Sequence, residues 1–565
     1  MPFPIDHYYL TRQLIAYIGN KRSLLGFLYG VFSELAARHR ISVFLDPFAG
    51  SGSVSRLARM MGFQVLANDW EFYSRVINEC HLAIELRDMN RMFQGRGGIA
   101  KVLETLNNLS PPREGSLYIA RYYAPMDTRR ADYRRERLFY TRENALRIDA
   151  MRNRIEEWYP GFDLENVPYM EKMSLLALLL YQCATHTNTS GVFKACHKGF
   201  GGHGRDALKR IMGRIELDEP VLFDARQRSR VFSQDASDFV SSRTGDLCYL
   251  DPPYTGHQYG SNYHLLNTVA LWDKPAAAIV LDQNGRLKRK AGIREDWVRT
   301  RSPFCYRDTA PSAFETLLGS IDCRFIILSY NTEGIVPFEE LLEILSRRGR
   351  VGLYSSDYVK YRGGKQSLNR QNNNLELLLV VERGIERGGG ISAEIRQILM
   401  EKKFRLLLKC SFIPERIRRH FETEKDGSLV YQDRRIPMPY LYRFDLWRQA
   451  ARAFEFLDSC IPWGDSEHLA ALYTRLSLCV CTDKREEVRI LLDIIARLTD
   501  AKQKRFLMKR ALWLLKKFAF RKYSELFWET FREIRITMRE NGCAWGTLER
   551  DLVRLANTAV SRFSG

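Results

Sequence analysis

No stretch of about 18 apolar residues runs free of charge, and the opening MPFPIDHYYLTRQLIAYIGNKR lacks an uninterrupted apolar core after a basic start. A cytoplasmic protein, neither exported nor membrane-spanning, is therefore expected. The 11 cysteines include no CxxC pair and no framework of the kind small secreted domains use, so they are expected to be reduced and mostly buried. None of the 10 histidines falls in an HExxH or another recognisable metal spacing; a metallohydrolase is unsupported and no metal is expected. Internal repeats and low-complexity tracts are missing as well. Acidic residues are under-represented: 67 Asp and Glu against 87 Lys and Arg give a net charge of +20, an excess that favours a polyanionic partner such as nucleic acid.

What is present is the mixture of a core-forming protein. Hydrophobic residues make up 45%, aromatic 12% and charged 27% of 565 residues, which excludes a largely disordered or collagen-like chain and predicts two or three domains. Seven short runs rich in β-branched or aromatic residues punctuate the first two thirds: Ile41–Phe48, Gln64–Asp69, Val231–Asp235, Leu247–Leu250, Phe325–Asn331, Val351–Ser355 and Glu376–Glu382. Helical patterns separate most of them, as in a mainly parallel sheet covered on both faces. The last two lack an intervening helix and should close as a hairpin.

Leu24, Leu28, Val31, Phe32 and Leu35 repeat at helical spacing before the first strand, so a helix should lie on the sheet there. Residues 70–230 are too long for one crossover and must hold a helical subdomain; 255–324 is a second interruption. Gly388, Gly389 and Gly390 mark the best linker. Beyond it, EEVRILLDIIARL and KRFLMKRALWLLKKF place apolar residues on one face and basic residues on the other, predicting a mainly helical C-terminal region. Residues 385–565 carry 35 Lys and Arg against 24 Asp and Glu, a net +11, so both halves of the chain are basic.

Two motifs carry chemistry. FLDPFAGSGSVSRLARMMG sets Gly50 and Gly52 between a strand and a helix, where the backbone can turn tightly against a ligand, and lacks the third glycine of a dinucleotide fingerprint. Asp69 closes the second strand where such folds place a carboxylate for ribose hydroxyls. The second motif, Asp251–Pro252–Pro253–Tyr254, follows the fourth strand. Two prolines fix two φ angles and remove two donors, leaving a rigid ledge of carboxylate, carbonyl and aromatic ring. Such a ledge suits a planar amine, with acceptors for its N–H groups and Tyr254 to stack on the attached heterocycle.

These residues resemble the alpha-group, Dam-type DNA adenine methyltransferases over about residues 8–383, in that group's order: Tyr17-Ile18-Gly19-Asn20-Lys21, DPFAGSGS, Asn68-Asp69, a recognition insertion, then DPPY. The resemblance implies an α/β, Rossmann-like, S-adenosylmethionine-dependent methyltransferase with a seven-stranded mainly parallel sheet. Together with the glycine linker and the helical periodicity beyond it, for which there is no family match, this divides the chain into a catalytic domain at 1–69 and 231–383, a helical insertion with the target-recognition region at 70–230, a linker at 384–390 and a helical basic domain at 391–565. S-adenosylmethionine is the implied cofactor. Tyr17 would pack beside it, Lys21 contact its methionine end, Asp46, Phe48, Gly50 and Gly52 surround it, Asp69 hold its ribose and Asp235 meet its adenine, with Ala236 where many members carry phenylalanine. Asp251, Pro252, Pro253 and Tyr254 would be the catalytic set, Asp251 also bordering the cofactor.

The stretch CATHTNTSGVFKACHKGFGGHGRDALKRI resembles the recognition region of the same group. Lys194, Lys198, Arg205, Lys209 and Arg210 can neutralise phosphates, while Asn188 and His197 could reach base edges. Arg362, Lys365 and Arg370, before the last strand, could also meet phosphate. The activity implied is methyl transfer to the exocyclic amine of adenine in duplex DNA by base flipping, in a restriction-modification setting. An RNA adenine, a cytosine amine, a protein glutamine, or a non-catalytic DNA-binding regulator are the rivals. Three roles stay open for the tail: widening the DNA footprint, binding a partner such as a cognate restriction endonuclease, or shielding the catalytic domain.

Overall fold

The computed structural model describes residues 5–202, 207–331, 334–358 and 374–385 and, with short breaks, 400–446, then 466–541 and 546–563. Each of the seven apolar runs is a strand: β1 (Val43–Asp46), β2 (Gln64–Asn68), β3 (Arg230–Phe232), β4 (Thr244–Leu250), β5 (Asp322–Asn331), β6 (Arg350–Tyr358) and β7 (Asn374–Glu382). They form one sheet in the order β3-β2-β1-β4-β5-β7-β6. The first five run parallel to one another, whereas β7 lies between β5 and β6 and is antiparallel to both. The expected hairpin is thus present, with its later strand inserted next to β5. β5 starts three residues before its apolar run because its first turn alternates, Asp322 and Arg324 exposed and Cys323 buried.

Period-two alternation puts a core on each face of the sheet. Phe44, Val65, Leu247, Tyr249 and Phe325 meet α1 (Leu25–Arg38) through Leu28, Phe32 and Leu35, and α2 (Ser53–Met60) through Leu57. Leu45, Cys248, Leu250, Ile326 and Leu328 face the other way, and further along the chain α6 (Ala310–Ser320) and α7 (Phe338–Ser346) cover them with Phe314, Leu317, Leu341 and Leu345. Between β2 and β3 the insertion is helical, as its length required: α3 (Phe72–Asn78), α4 (Arg142–Trp158) and α5 (Asn166–His186) share a core of their own.

The chain divides into two compact units, 1–391 and 392–565. The second is mainly helical: α8 (Lys484–Arg497), α9 (Ala501–Leu515), α10 (Ser524–Glu540) and α11 (Gly546–Phe563) bury Leu491, Leu507, Phe527, Ile534 and Leu552 together. It also holds a three-stranded antiparallel sheet, β8 (Glu422–Thr423), β9 (Leu429–Tyr431) and β10 (Arg434–Ile436), which the sequence did not announce. Strands of two or three residues flanked by charge are too short to show a period of two. No helix among the described residues is long and apolar enough to cross a membrane. The Gly388–Gly390 linker and Arg362, Lys365 and Arg370 lie outside the described residues.

Candidate active site

In the sheet order, β1 has β2 on one side and β4 on the other. The crossovers leave these strands in opposite directions, which opens a crevice at their carboxyl ends. A cleft sits there, lined by residues from 17–21, 46–54, 68–71, 234–236, 249–253 and 300–304. Tyr17, Lys21, Asp46, Phe48, Gly50, Asp69, Asp235, Asp251 and Pro253 all line it; Gly52, Pro252 and Tyr254, their neighbours in sequence, are not among the lining residues.

The glycine turn is held from three sides. Gly50 (φ +51°) donates to Asp69 Oδ2 at 2.8 Å, and its carbonyl accepts from the Ser74 hydroxyl and the Asn78 amide. A Cβ on Gly50 would stand 2.8 Å from the Tyr17 ring, and one on Gly52 (φ +76°) 2.3 Å from Asn78 Oδ1. Side chains are excluded here by backbone conformation and by close neighbours alike. Asp69 thus braces the loop as well as bordering the cleft, its Oδ1 accepting from Glu71 N at 2.9 Å. Burial raises its pKa against these hydrogen bonds.

Asp46 is the most enclosed carboxylate. Ser55 donates to its Oδ2 at 2.6 Å, while its buried Oδ1 has no hydrogen-bond partner among the described residues. Burial pushes its pKa up to about 7, and the nearby Asp251 and Asp69 add to the rise. Phe48 meets Phe304 edge-on at 5.6 Å. Asp235 caps the short helix Ala236–Ser241 by accepting from Ser237 N, so at this edge a capping role accompanies the cleft position.

The loop bearing Lys21 is clamped by tyrosines that follow the DPPY motif. Ile18 N donates to Tyr263 Oη at 2.8 Å, Ile18 O accepts from Tyr259 Oη at 3.0 Å, and Tyr17 stacks on Tyr263 at 4.8 Å. Lys21, 4% exposed, is thereby delivered to Asp251, 19% exposed, with Nζ 3.0 Å from Oδ1 and 3.3 Å from Tyr254 Oη. An ammonium at that distance favours the ionised carboxylate.

The prolines make a tight three-residue turn in which Tyr254 N donates to Pro252 O at 2.8 Å. One lone pair of that carbonyl is engaged; a carbonyl oxygen has a second. Tyr254 is only 8% exposed and packs against Tyr330 at 5.0 Å. The ring backs the ledge instead of forming an open platform.

The recognition stretch is more divided. Lys194, Lys198 and Arg210 are exposed and His197 is half-buried. Asn188 is fully buried, donating from its amide to Leu138 O at 2.9 Å and accepting from Gly201 N, so its side chain holds the loop. Arg205 lies outside the described residues.

Sequence reasoning missed three contributors. Asn68 bridges two cleft loops, donating to Pro47 O and Gln234 O and accepting from Gln234 N. Glu71, whose pKa burial raises to about 7, accepts from Asn267 and from Thr300. Phe304 walls the cleft beside Phe48. Asn68 was noted only as half of a motif, and the 255–324 stretch that brings Thr300 and Phe304 carries no periodic signal.

Residues 17–291 match the family described as D12 class N6 adenine-specific DNA methyltransferase. Among curated relatives, the type II methyltransferase M.NlaIII of Neisseria lactamica is 33% identical over 377 residues, covering 65% of this chain and 99% of that protein. The modification methylase LlaI of Lactococcus lactis subsp. lactis is 30% identical over 64% of this chain and 54% of its own length. The type II methyltransferase M.FokI of Planomicrobium okeanokoites is 29% identical over 61% and 49%. The chain spans about half the length of the latter two. With DPFAGSGS, Asn68-Asp69 and DPPY meeting in one cleft and a relative aligned over nearly its whole length, the chain belongs to the D12 class N6 adenine-specific DNA methyltransferase family.

Proposed function

We propose that the cleft binds S-adenosylmethionine in a Rossmann-like methyltransferase fold, and that the Asp251–Tyr254 ledge presents to it the amine of an adenine swung out of duplex DNA. The observation that carries this reading is the convergence of Asp46, Asp69 and Asp251 on one cleft at the switch point of the sheet. The donor set fits the cofactor: three carboxylates, one with a buried unpartnered oxygen, suit a ligand with cationic sulfonium and ammonium groups, and Phe48, Phe304 and Tyr17 supply aromatic walls. Bound there, the sulfonium would supply an activated methyl.

The chain's own residues do the placing. Asp251, ion-paired with Lys21, accepts one N–H of the amine, and the second lone pair of Pro252 O accepts the other. Two such bonds draw the nitrogen lone pair out of conjugation, and the carboxylate stabilises the positive charge that grows on nitrogen. The proton lost after transfer leaves towards the same carboxylate. Extruding the base costs a few kcal/mol. Stacking on Tyr254 offsets about 1–3 kcal/mol, and since that ring is 8% exposed, base capture must move the side chains that cover it.

Residues 1–69 and 231–383 would form the catalytic domain and 70–230 the recognition insertion. Lys194, Lys198 and Arg210 would meet phosphates and His197 a base edge. The named relatives are type II methyltransferases and modification methylases, which favours a restriction-modification setting with a cognate endonuclease.

Tritium transfer from labelled S-adenosylmethionine into duplex DNA, RNA and protein tests the reading. Label in N6-methyladenine of duplex DNA, lost in Asp251→Ala with cofactor binding retained, is the expected result. Label in RNA or protein, or turnover by the aspartate variant, would overturn it.

A further inference from the structure

The second unit has no role in the chemistry above, yet its charges are not distributed like those of an ordinary solvated surface. Where α8, α9 and α10 pack, cations are neutralised: Arg485 pairs with Glu529 at 2.6 Å, Arg489 with Glu533 at 3.7 Å and Arg510 with Glu487 at 2.9 Å. At the far end of α9 this stops. The chain turns through KKFAFRKY, and Lys516, Lys517, Arg521 and Lys522 make no ion pair among the described residues. Burial and the nearby ammonium groups of Lys484 and Lys516 lower the pKa of Lys517, a sign that like charges are crowded together.

Two aromatic rings stand open among these cations. Phe520 is 52% and Tyr523 39% exposed, whereas Phe518 between them and α9 is buried. Arg562 ties α11 to the cluster, donating to Ala519 O at 3.2 Å with its guanidinium 5.3 Å from the Phe520 ring. From Arg562 the positive charge continues along one face of α11 through Arg554 to Arg550, which line a shallow groove with Asn557 and Ser561. Twelve residues of helix extend the strip by about 18 Å. The acidic neighbour Asp483 is occupied as the N-cap of α8.

We propose that this strip is a second DNA-backbone site, its lysines and arginines neutralising phosphates and its open rings packing on the sugar-phosphate chain. Charge complementarity selects the occupant. Like cations crowded in the turn are unfavourable until a polyanion replaces their counterions, and interleaved aromatics add the apolar contact that nucleic acids accept. The proposal rests on DNA being the substrate, but it concerns affinity and not chemistry.

The test uses the full chain carrying Lys516→Gln, Lys517→Gln, Arg521→Gln and Lys522→Gln together, beside the wild type, the cleft variant Asp251→Ala, and a variant with the three lysines replaced by arginine. Binding to duplex DNA, single-stranded DNA and RNA is measured between 50 and 300 mM salt. Each lost phosphate contact lowers the slope of log K against log salt by about 0.9 in duplex DNA, so the glutamine variant, with four contacts removed, should lose about 3.6 in slope and bind duplex at least tenfold more weakly. The arginine variant should keep the wild-type slope, and methyl transfer at saturating DNA should be unchanged in both. Asp251→Ala should show the opposite pattern, no transfer with an intact slope, which separates failure of this site from failure of the catalytic reading. A duplex slope unchanged in the glutamine variant overturns the proposal, as does a loss confined to RNA.

Discussion

The buried part of the first unit and the KKFAFRKY turn of the second treat charge in opposite ways. In the first, ions are buried and given partners: Lys21 on Asp251, Arg59 on Glu85 at 2.8 Å, Arg152 and Lys172 on Glu156. In the second, the KKFAFRKY turn sets cations in solvent without carboxylates. Burying an ion is costly and is tolerated where its position matters, so the first pattern belongs to a machine that holds one carboxylate still. Leaving like charges exposed costs little in water and raises the local attraction for polyanions. The same residue types thus serve placement where they are buried and paired, and capture where they stand exposed.

The comparison breaks most visibly at Lys21. Replacing it by methionine keeps the volume and removes the charge, leaving Asp251 and its neighbour Asp46 uncompensated. Loss of one partner from a buried pair costs about 3–5 kcal/mol; with Asp251 19% exposed the lower end applies. Denaturant unfolding should show a loss near 3 kcal/mol and methyl transfer should fall at least a hundredfold. A lysine variant in the second unit that lost as much would erase the distinction.

Next comes Gly52→Ala. The new methyl would stand 2.3 Å from Asn78 Oδ1, in a backbone conformation with φ +76°. Asn78 cannot swing aside easily, because its amide donates to Gly50 O and Ser74 O. A destabilisation of about 2 kcal/mol is expected, together with weaker cofactor binding by calorimetry. Asn78→Ala in the same chain removes the collision but not the backbone strain, so partial recovery is the outcome that supports this account.

Much of this was legible beforehand because it is local. Seven apolar runs of β-branched residues gave seven strands, since burial on both faces leaves an unmistakable composition. DPFAGSGS and DPPY announced themselves through residues whose backbone limits are nearly unique. What stayed hidden is set by distant partners. Nothing in TNTSG says that Asn188 spends its amide on Leu138 O, that Phe304 would come round to wall the cleft, or that Tyr259 and Tyr263 clamp Ile18. Nor does DPPY reveal that its tyrosine is covered by Tyr330. The Phe304, Tyr259 and Tyr263 contacts depend on the path of 255–324, where no periodicity guides the eye, and the Asn188 and Tyr330 contacts on partners far away in the sequence.

A smaller effect with a distinctive pH signature is expected at Asp46. Its folded pKa near 7 lies above the ordinary carboxylate value of 3.8 because burial disfavours the ion. Between those values the folded state holds the extra proton, so this residue's contribution to stability declines as pH rises from about 4 to about 7, and the full penalty is present above that. Asp46→Asn should therefore match the wild type near pH 4 and exceed it in stability at pH 8, the gap opening between about pH 4 and about pH 7, while losing affinity for the cationic cofactor. Wild-type cofactor binding near pH 7 should release protons, read as a dependence of the calorimetric heat on buffer ionisation enthalpy. A carboxylate engaged only in structure would show neither the crossover nor the release.

The smallest effect has the opposite sign from the largest. Lys516→Gln removes one of the cations crowded beside Lys517, whose pKa is lowered by burial and by Lys484 and Lys516. Without a polyanion that crowding is repulsive, so at low ionic strength the variant should be a few tenths of a kcal/mol more stable than the wild type, and at 0.5 M salt, where exposed charges are screened within a few ångströms, the gain should vanish. Adding duplex DNA should reverse the order, the wild type then gaining more in melting temperature than the variant, because ligand binding stabilises by mass action. Lysine to neutral at position 21 costs stability in every salt; at position 516 it gains a little and loses it again when DNA or salt is present. A loss at position 516 that no salt concentration changes would mean the strip is packing and not a waiting counterion site.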